Sequence, residues 1–318
     1  MLKNMLSDKM LHENIECILN TGQIQNFIIE NDNNNIDNLR KFHNYIKKQL
    51  IIQNSKNINA NNLLDIASGR GGDMFKWRTA GLQSVFAFDN HKESVEISKD
   101  RLKEQLLFEN KELLKLENKQ KYIQKTKNNP NFKLYDLKNY KKLPNIKYFN
   151  LNILQSNIIQ KINNLDNNEK YDIISCQFAF HYFSKNIETL NQILSIISSK
   201  LKPGGLFVGT ATDGDKIKKI LKINDVDIPL LTLLNVNEYS YIFNIKSKNS
   251  VRKTYFELQG ESLEYYLQKK QLITIAKKYN LELIEIKTFN EWYDKSFNLS
   301  PYEMIISFLN FSFIFKKI

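Results

Sequence analysis

Residues 63–77 read LLDIASGRGGDMFKW, and this stretch decides the fold. NNLLDIAS, residues 61–68, reads as one short buried strand, and it leads straight into Gly69, Gly71 and Gly72. Only 10 of the 318 residues are glycine, so three within four positions mark a backbone that turns tightly or is approached closely. MFKWRTAG, residues 74–81, follows as a helix closed by a glycine. A strand, a glycine turn and a helix in that order bring a nucleotide-like ligand against the chain in parallel sheets.

Working outward, SVFAFDN (84–90) reads as a second strand with Asp89 at its end, and a long charged helix follows from His91 to about Lys127. A Lys/Asn-rich loop around Pro130 and Pro144 comes next, then strand candidates YFNLNI (148–153) and YDIISCQF (171–178). NIETLNQILSIISSKLKPGG (186–205) is an amphipathic helix stopped by Pro203 and a glycine pair, after which LFVGTA resumes the sheet. Upstream, IDNLRKFHNYIKKQLI (36–51) spaces Ile36, Leu39, Phe42, Tyr45, Ile46 and Leu50 as one face of a helix. Downstream, YSYIFNI (239–245) and TYFELQ (254–259) can pair as a hairpin, EYYLQKKQLITIAKKYN (264–280) reads as a helix, and LELIEIKTF and FSFIF as closing strands.

The alternation predicts an α/β fold with a doubly wound, mostly parallel sheet, a helical N-terminal arm and an antiparallel C-terminal insertion. The polar stretch 1–35, ending in NDNNN, is expected to be an arm, and 36–318 one domain.

The net charge of +12 favours a polyanionic partner such as nucleic acid, although the abundance of Lys, Asn and Ile throughout the chain accounts for it equally well. Two cysteines, Cys17 and Cys176, are too few for a disulfide framework, so a reducing intracellular compartment, nucleus or cytoplasm, is expected. No apolar run approaches the roughly 18 residues of a membrane span, and the start is too polar for a secretory signal. No metal site is expected.

The glycine spacing is G-x-G-G, and no Lys-Ser or Lys-Thr follows it, which disfavours a phosphate-gripping loop. Asp89 is placed to accept from ribose hydroxyls, and Asp65 suits a cationic or amine-bearing group. A nucleoside with a sulfonium and an amino-acid tail, S-adenosylmethionine, meets both demands. On this reading the glycines let the cofactor lie against the backbone.

LLDIASGRGGDMFKW, then FDNHKESVEISKDR, SCQFAFHY, LKPGGLFVGT and AKKYNLELIEIKTFNEWY, in that order from about Ile36 to Tyr293, resemble the messenger RNA cap guanine-N7 methyltransferases of eukaryotes and their viruses. LRKFHNYIKKQLI resembles that family's N-terminal helix. The resemblance implies a class I S-adenosyl-L-methionine-dependent methyltransferase fold. It places Lys47, Asp65, Ala67, Gly69, Asp89, Asn152, Gln177 and Tyr182 around the cofactor. It places His43, Asn44, Phe178, His181 and Glu264 around the cap guanine, with Arg70, Lys76 and Arg101 facing the cap's phosphates. The chain departs from the family at Ala67 (usually glycine), Asn152 (usually aspartate), His43 (usually asparagine), Leu263 (usually proline) and Asn310 (where a tyrosine is expected).

The implied substrate is capped RNA, GpppN at the 5′ end. Guanine N7 has an in-plane lone pair and no proton, so no general base and no catalytic dyad is expected. The sequence has no lysine nucleotidyl motif, so triphosphatase and guanylyltransferase steps would come from another chain; a stimulatory subunit is a further possible partner. Two other readings stay open on the sequence: a methyltransferase acting on another RNA, a protein or a small molecule, and an inactive subunit with the same fold.

Overall fold

The computed structural model describes residues 36–125, 142–246 and 261–318, together with Ile15, Cys17 and Leu19; along 116–125 it describes the backbone alone. The TYFELQ strand, the loop around Pro130 and most of the arm lie outside the described residues. Ile15, Cys17 and Leu19 are helical, and Ile15 and Leu19 are buried.

The described chain runs through α1 (Asp37–Lys48), β1 (Asn62–Ile66), α2 (Met74–Ala80), β2 (Ser84–Asp89), α3 (Lys92–Lys125), β3 (Asn145–Asn150), α4 (Ile158–Asp166) and β4 (Tyr171–Gln177). Then come α5 (Ile187–Lys200), β5 (Leu201–Thr212), α6 (Gly214–Leu221), β6 (Val226–Ile228), β7 (Leu231–Asn235), β8 (Ser240–Ile245) and β9 (Ser262–Tyr265). It ends with α7 (Lys269–Lys278), β10 (Leu281–Thr288), α8 (Pro301–Phe308) and β11 (Asn310–Lys317). The fold is the expected one: a seven-stranded, mostly parallel sheet with helices against it, and a four-stranded antiparallel sheet besides.

Two compact units divide the chain, Ile51–Ile173 on the one hand and Met1–Leu50 with Ile174–Ile318 on the other. The first holds β1 beside β2 and β2 beside β3, all parallel, in a register that sets Asp65 opposite Ala87 and Asp89 opposite Asn150. Such strands are covered on both faces, which is why SVFAFD is apolar without alternation. Trp77 of α2 is wholly buried, and Gly81 ends that helix at φ 83°, a conformation that favours glycine.

The second unit carries β10, β11 and β5 as antiparallel neighbours, with rings of Phe180, Phe207 and Phe313 packed 5.0–5.5 Å apart on the core side. Its smaller sheet runs β6, β7, β8, β9 and pairs Tyr241 with Glu264. Helix α1 buries Leu39, Phe42, His43 and Ile46, the 3- and 4-residue spacing read from the sequence. Its N-cap position is Ile36, whose side chain accepts nothing; instead Glu303 Oε1 accepts the Leu39 N–H at 2.8 Å. The same carboxylate closes the capping box of α8, where its Oε2 accepts the Ser300 N–H at 2.9 Å. One buried Glu thus serves the starts of two helices.

Two expected elements are corrected. The helix expected over 186–205 ends at Lys200, and Leu201 to Gly205 already belong to β5, so Pro203 and the glycine pair do not stop it. The helix over 264–280 begins only at Lys269, and SLEY is a strand. Ser262 and Glu264 turn inward while Leu263 is exposed, the two-residue alternation of a half-buried strand, and the aromatic residues that follow suit a pleated surface as readily as a helix face. The strand pairs with β8, so YSYIFNI is a strand with β7 and β9 as its neighbours, while its expected partner TYFELQ lies outside the described residues.

Candidate functional site

In the unit 51–173 the chain leaves β1 through a loop in which Ala67, Gly69 and Gly71 all have positive φ, of 56°, 54° and 69°. Ala67 therefore occupies a backbone conformation that costs an L-residue roughly 1 to 2 kcal/mol and glycine nothing. The loop is closed from β2. Asp89 Oδ2 accepts the Gly69 N–H at 2.8 Å, and its Oδ1 accepts the His91 N–H at 2.8 Å. Ser98 Oγ donates to Gly69 O at 2.9 Å, and Asn150 Nδ2 to Asp89 O at 3.0 Å.

The glycines answer for different things. At Gly71 a Cβ would stand 2.7 Å from the Tyr148 hydroxyl and 3.2 Å from Ser98, so close packing of the protein itself forbids a side chain there. At Gly69 nothing lies within 4 Å of the same position. Of the three glycines in this loop, Gly69 alone combines left-handed backbone with open space, which narrows the sequence reading that all three make room for a ligand.

Asp65 is buried at the end of β1, and its charge, after burial itself, helps push the Tyr148 phenol up. Lys76 pairs with Asp73 at 2.7 Å, and Arg101 Nη1 donates to the Arg70 carbonyl at 2.8 Å. Lys76 and Arg101, both expected to face phosphates, are thus tied to this loop. Asn152 lies just past β3, exposed, with its Oδ1 accepting the Leu154 N–H at 3.0 Å.

In the other unit, α1 presents His43 buried, Asn44 exposed and Lys47 half-buried. The His43 ring stacks on Phe178 at 4.9 Å and 19°, Phe289 stands edge-on to both, and His43 Nε2 meets Ser307 Oγ at 2.9 Å. Burial first, and then the Lys47 charge, lower the His43 pKa to about 3. Phe178 sits at φ 56°, unusual for a bulky residue, and its N–H is held by Thr210 O at 3.0 Å and Thr210 Oγ1 at 2.8 Å. Gln177 is tied to the same threonine, whose hydroxyl lies 3.3 Å from Gln177 Oε1.

His181 and Glu264 come together with no solvent contact to speak of, at 1% and 0% exposure. His181 Nε2 lies 3.4 Å from Glu264 Oε2, an ion-pair distance and not a tight hydrogen bond, while Nδ1 faces the Thr212 N–H at 3.5 Å. Glu264 also accepts from Tyr241 Oη at 2.8 Å and Ser262 Oγ at 3.0 Å. Burial pushes the Glu264 carboxyl up, but the attraction of His181 and the hydrogen bonds from Tyr241 and Ser262 outweigh it and leave the group below its ordinary value. Tyr182, half-buried beside them, has its phenol pushed up by burial and by the Glu264 charge.

A model of the mRNA (guanine-N(7))-methyltransferase domain matches residues 19–311. The chain belongs to that family. Among its relatives, the mRNA cap guanine-N(7) methyltransferase of Drosophila melanogaster is 24% identical over 270 residues, 81% of this chain and 56% of that protein. The Caenorhabditis elegans protein of the same name is 28% identical over 184 residues, 56% of this chain and 40% of that protein. A "Probable mRNA-capping enzyme" of Acanthamoeba polyphaga mimivirus is 26% identical over 203 residues, 61% of this chain and 15% of that protein. The chain spans about half the length of the cellular relatives. In fold it is like an S-adenosylmethionine-dependent methyltransferase of Clostridium acetobutylicum (TM-score 0.51, 14% identity, 96% of this chain and 98% of that one). A Listeria monocytogenes structure, titled a putative enzyme of the same kind, gives TM-score 0.54 at 11% identity, over 89% of this chain and 100% of that one.

Within this guanine-N7 methyltransferase domain, sequence reasoning missed Tyr241, Ser262, Thr212 and Ser307, which hold the named residues. Their only sequence signal is polarity at inward strand or helix positions, visible once register is known. No group of three or more His, Cys, Asp or Glu able to hold a metal occurs among the described residues, and no helix among them is long and apolar enough to cross a membrane.

His43 gives a pH prediction. In the unfolded chain it protonates near 6.5, and in the folded chain only near 3. Between those values the unfolded state binds the extra proton, so stability is lost as pH falls below about 6.5. By pH 4.5 the loss is about 2 to 3 kcal/mol from this residue. Denaturant titrations of wild type and His43→Asn at pH 7 and 4.5 should show a shallower acid loss in the variant; parallel losses would put the slope elsewhere.

Proposed function

We propose that this chain transfers a methyl group from S-adenosyl-L-methionine to N7 of the guanine in the 5′ GpppN cap of mRNA. The observation that carries the reading is the buried Glu264 carboxylate, held ionised beside His181, in a chain of this family. Guanine offers two donors on one edge, N1–H and N2–H, and a carboxylate accepts both while rejecting a base that lacks them.

The glycine loop fits the cofactor. Space stands open at Gly69, and although Asp89 already accepts two backbone N–H groups, each of its oxygens keeps a second lone pair for a ribose hydroxyl. When bound, S-adenosylmethionine supplies a sulfonium-activated methyl. In this reading, which follows the family resemblance, Lys47, Asp65, Ala67, Gly69, Asp89, Asn152, Gln177 and Tyr182 hold it; His43, Asn44, Phe178, His181 and Glu264 take the guanine; Arg70, Lys76 and Arg101 meet the phosphates. No residue needs to remove a proton, because N7 has none. The chain's task is alignment, which can lower a barrier by roughly 7 to 11 kcal/mol.

The partner that follows is capped RNA, with the triphosphatase and guanylyltransferase steps supplied by another chain, in the nucleus or in a cytoplasmic or viral site of transcription. The test is incubation with labelled cofactor and GpppRNA or pppRNA, followed by digestion to nucleosides. Label in 7-methylguanine from GpppRNA alone is the expected result; label in another nucleoside, or none with cofactor bound, would overturn the reading.

A further inference from the structure

The buried Glu264 carboxylate is held in its plane, and the residue that holds it is Tyr241. The two residues are directly opposite one another on β8 and β9, and both side chains are wholly buried. Tyr241 Oη lies 2.8 Å from Glu264 Oε2 and 2.7 Å from Thr212 Oγ1. A phenol has one proton. An ionised carboxylate can only accept, so that proton goes to Glu264, and Thr212 must then donate to the phenol oxygen. Burial, and then the Glu264 charge, push the Tyr241 pKa well above its ordinary value, so the donor is present at every working pH. On the other side Ser262 Oγ reaches Oε1 at 3.0 Å.

We propose that Tyr241 is a positioning residue that sets guanine selectivity: the relay Thr212 to Tyr241 to Glu264, with Ser262 on the second oxygen, locks the carboxylate so that one lone pair on each oxygen faces the two N–H donors of the guanine edge. The inference rests on the cap reading of Glu264. Rotation of an unlocked carboxylate would break the match to two donors at once, yet would still let it meet one. Selectivity between a base with two donors and a base with one is therefore what the lock supplies. Hypoxanthine has N1–H and the same N7 but no N2 amino group, so the inosine cap is the probe.

The experiment compares wild type and Tyr241→Phe on GpppRNA and IpppRNA, with binding of GpppG and IpppG measured alongside on the same preparations. Phenylalanine keeps the ring and removes only the oxygen. In wild type the guanine substrate should be favoured by about tenfold or more in kcat/KM; in Tyr241→Phe that ratio should shrink by at least about threefold, because the guanine substrate loses more than the inosine substrate. A purely structural phenol lowers both substrates equally, and an unchanged ratio overturns the proposal. If Tyr241→Phe does not fold, Thr212→Val, which removes the donor to the phenol, must show a smaller shift in the same direction, and an unchanged ratio there overturns it too. Wild type that binds GpppG selectively but transfers no methyl refutes the proposed function and leaves the lock to be judged by the binding ratio. Wild type with no preference for GpppG over IpppG refutes the lock itself.

Discussion

Glu264→Ala should lose about 3 to 5 kcal/mol of stability and, in the fraction that remains folded, at least tenfold in turnover of GpppRNA. The first loss follows from what stays behind. Tyr241 and Ser262 must then turn their protons to Thr212 Oγ1 and the Phe243 carbonyl, and His181 loses the buried carboxylate that faces its Nε2. A melting curve should move down by several degrees or more. Glu264→Gln separates the two roles. It fills the space and returns one acceptor oxygen, so part of the stability should come back, whereas its amide turns a donor toward a guanine donor and activity should not. Affinity for S-adenosylmethionine should stay nearly constant in both. Full activity of Glu264→Ala, assayed cold where it is folded, would remove Glu264 from guanine recognition and leave it as a clamp between β8, β9 and the His181 turn.

Asp89→Ala should lower cofactor affinity by more than tenfold, and the structure enlarges the reason. The carboxylate does more than wait for a ribose: it accepts the Gly69 and His91 amides, at 2.8 Å each, and so holds the loop in shape. Bonds of this charge-assisted kind contribute about 1.5 to 3 kcal/mol apiece. Asp89→Asn keeps one acceptor and should fall between the two. Calorimetric titration with S-adenosylmethionine decides it: an affinity in Asp89→Ala equal to wild type would mean that the cofactor does not lie at this strand end.

The first half of the fold could be read from its punctuation. The strands from Leu63, Ser84 and Tyr171, the helix from Met74 to a glycine stop and the acid at position 89 all follow from local signals, and parallel strands covered on both faces announce themselves as apolar runs. Glu264 was found by resemblance but placed on the wrong element, because its strand is fixed by a partner some twenty residues upstream and not by its neighbours. Tyr241 was invisible for the same reason. Helix α8 is different: Ser300, Pro301 and Glu303 spell a capping box with proline at its first turn, a local signal that could have been read. The role of Asn310 could not. Its amide donates to the carbonyls of Ile306 and Ser307, closing α8, which a comparison with a family tyrosine does not suggest.

The shared carboxylate of Glu303 has a consequence for how the molecule is made. Its bond to the Leu39 amide joins residues 264 positions apart, and the contact of His43 with Ser307 spans 264 more of the same. At roughly 5 to 20 residues per second, α1 emerges from the ribosome many seconds before the residues that seat it. Helix α1 is thus among the last elements to dock, and until residues 300–310 have emerged its apolar stripe, Leu39, Phe42 and Ile46, has no permanent cover. Ribosome-bound nascent chains ending before residue 300 should therefore leave this helix open to protease, while the parallel strands of 51–173 have all the sequence they need to pair.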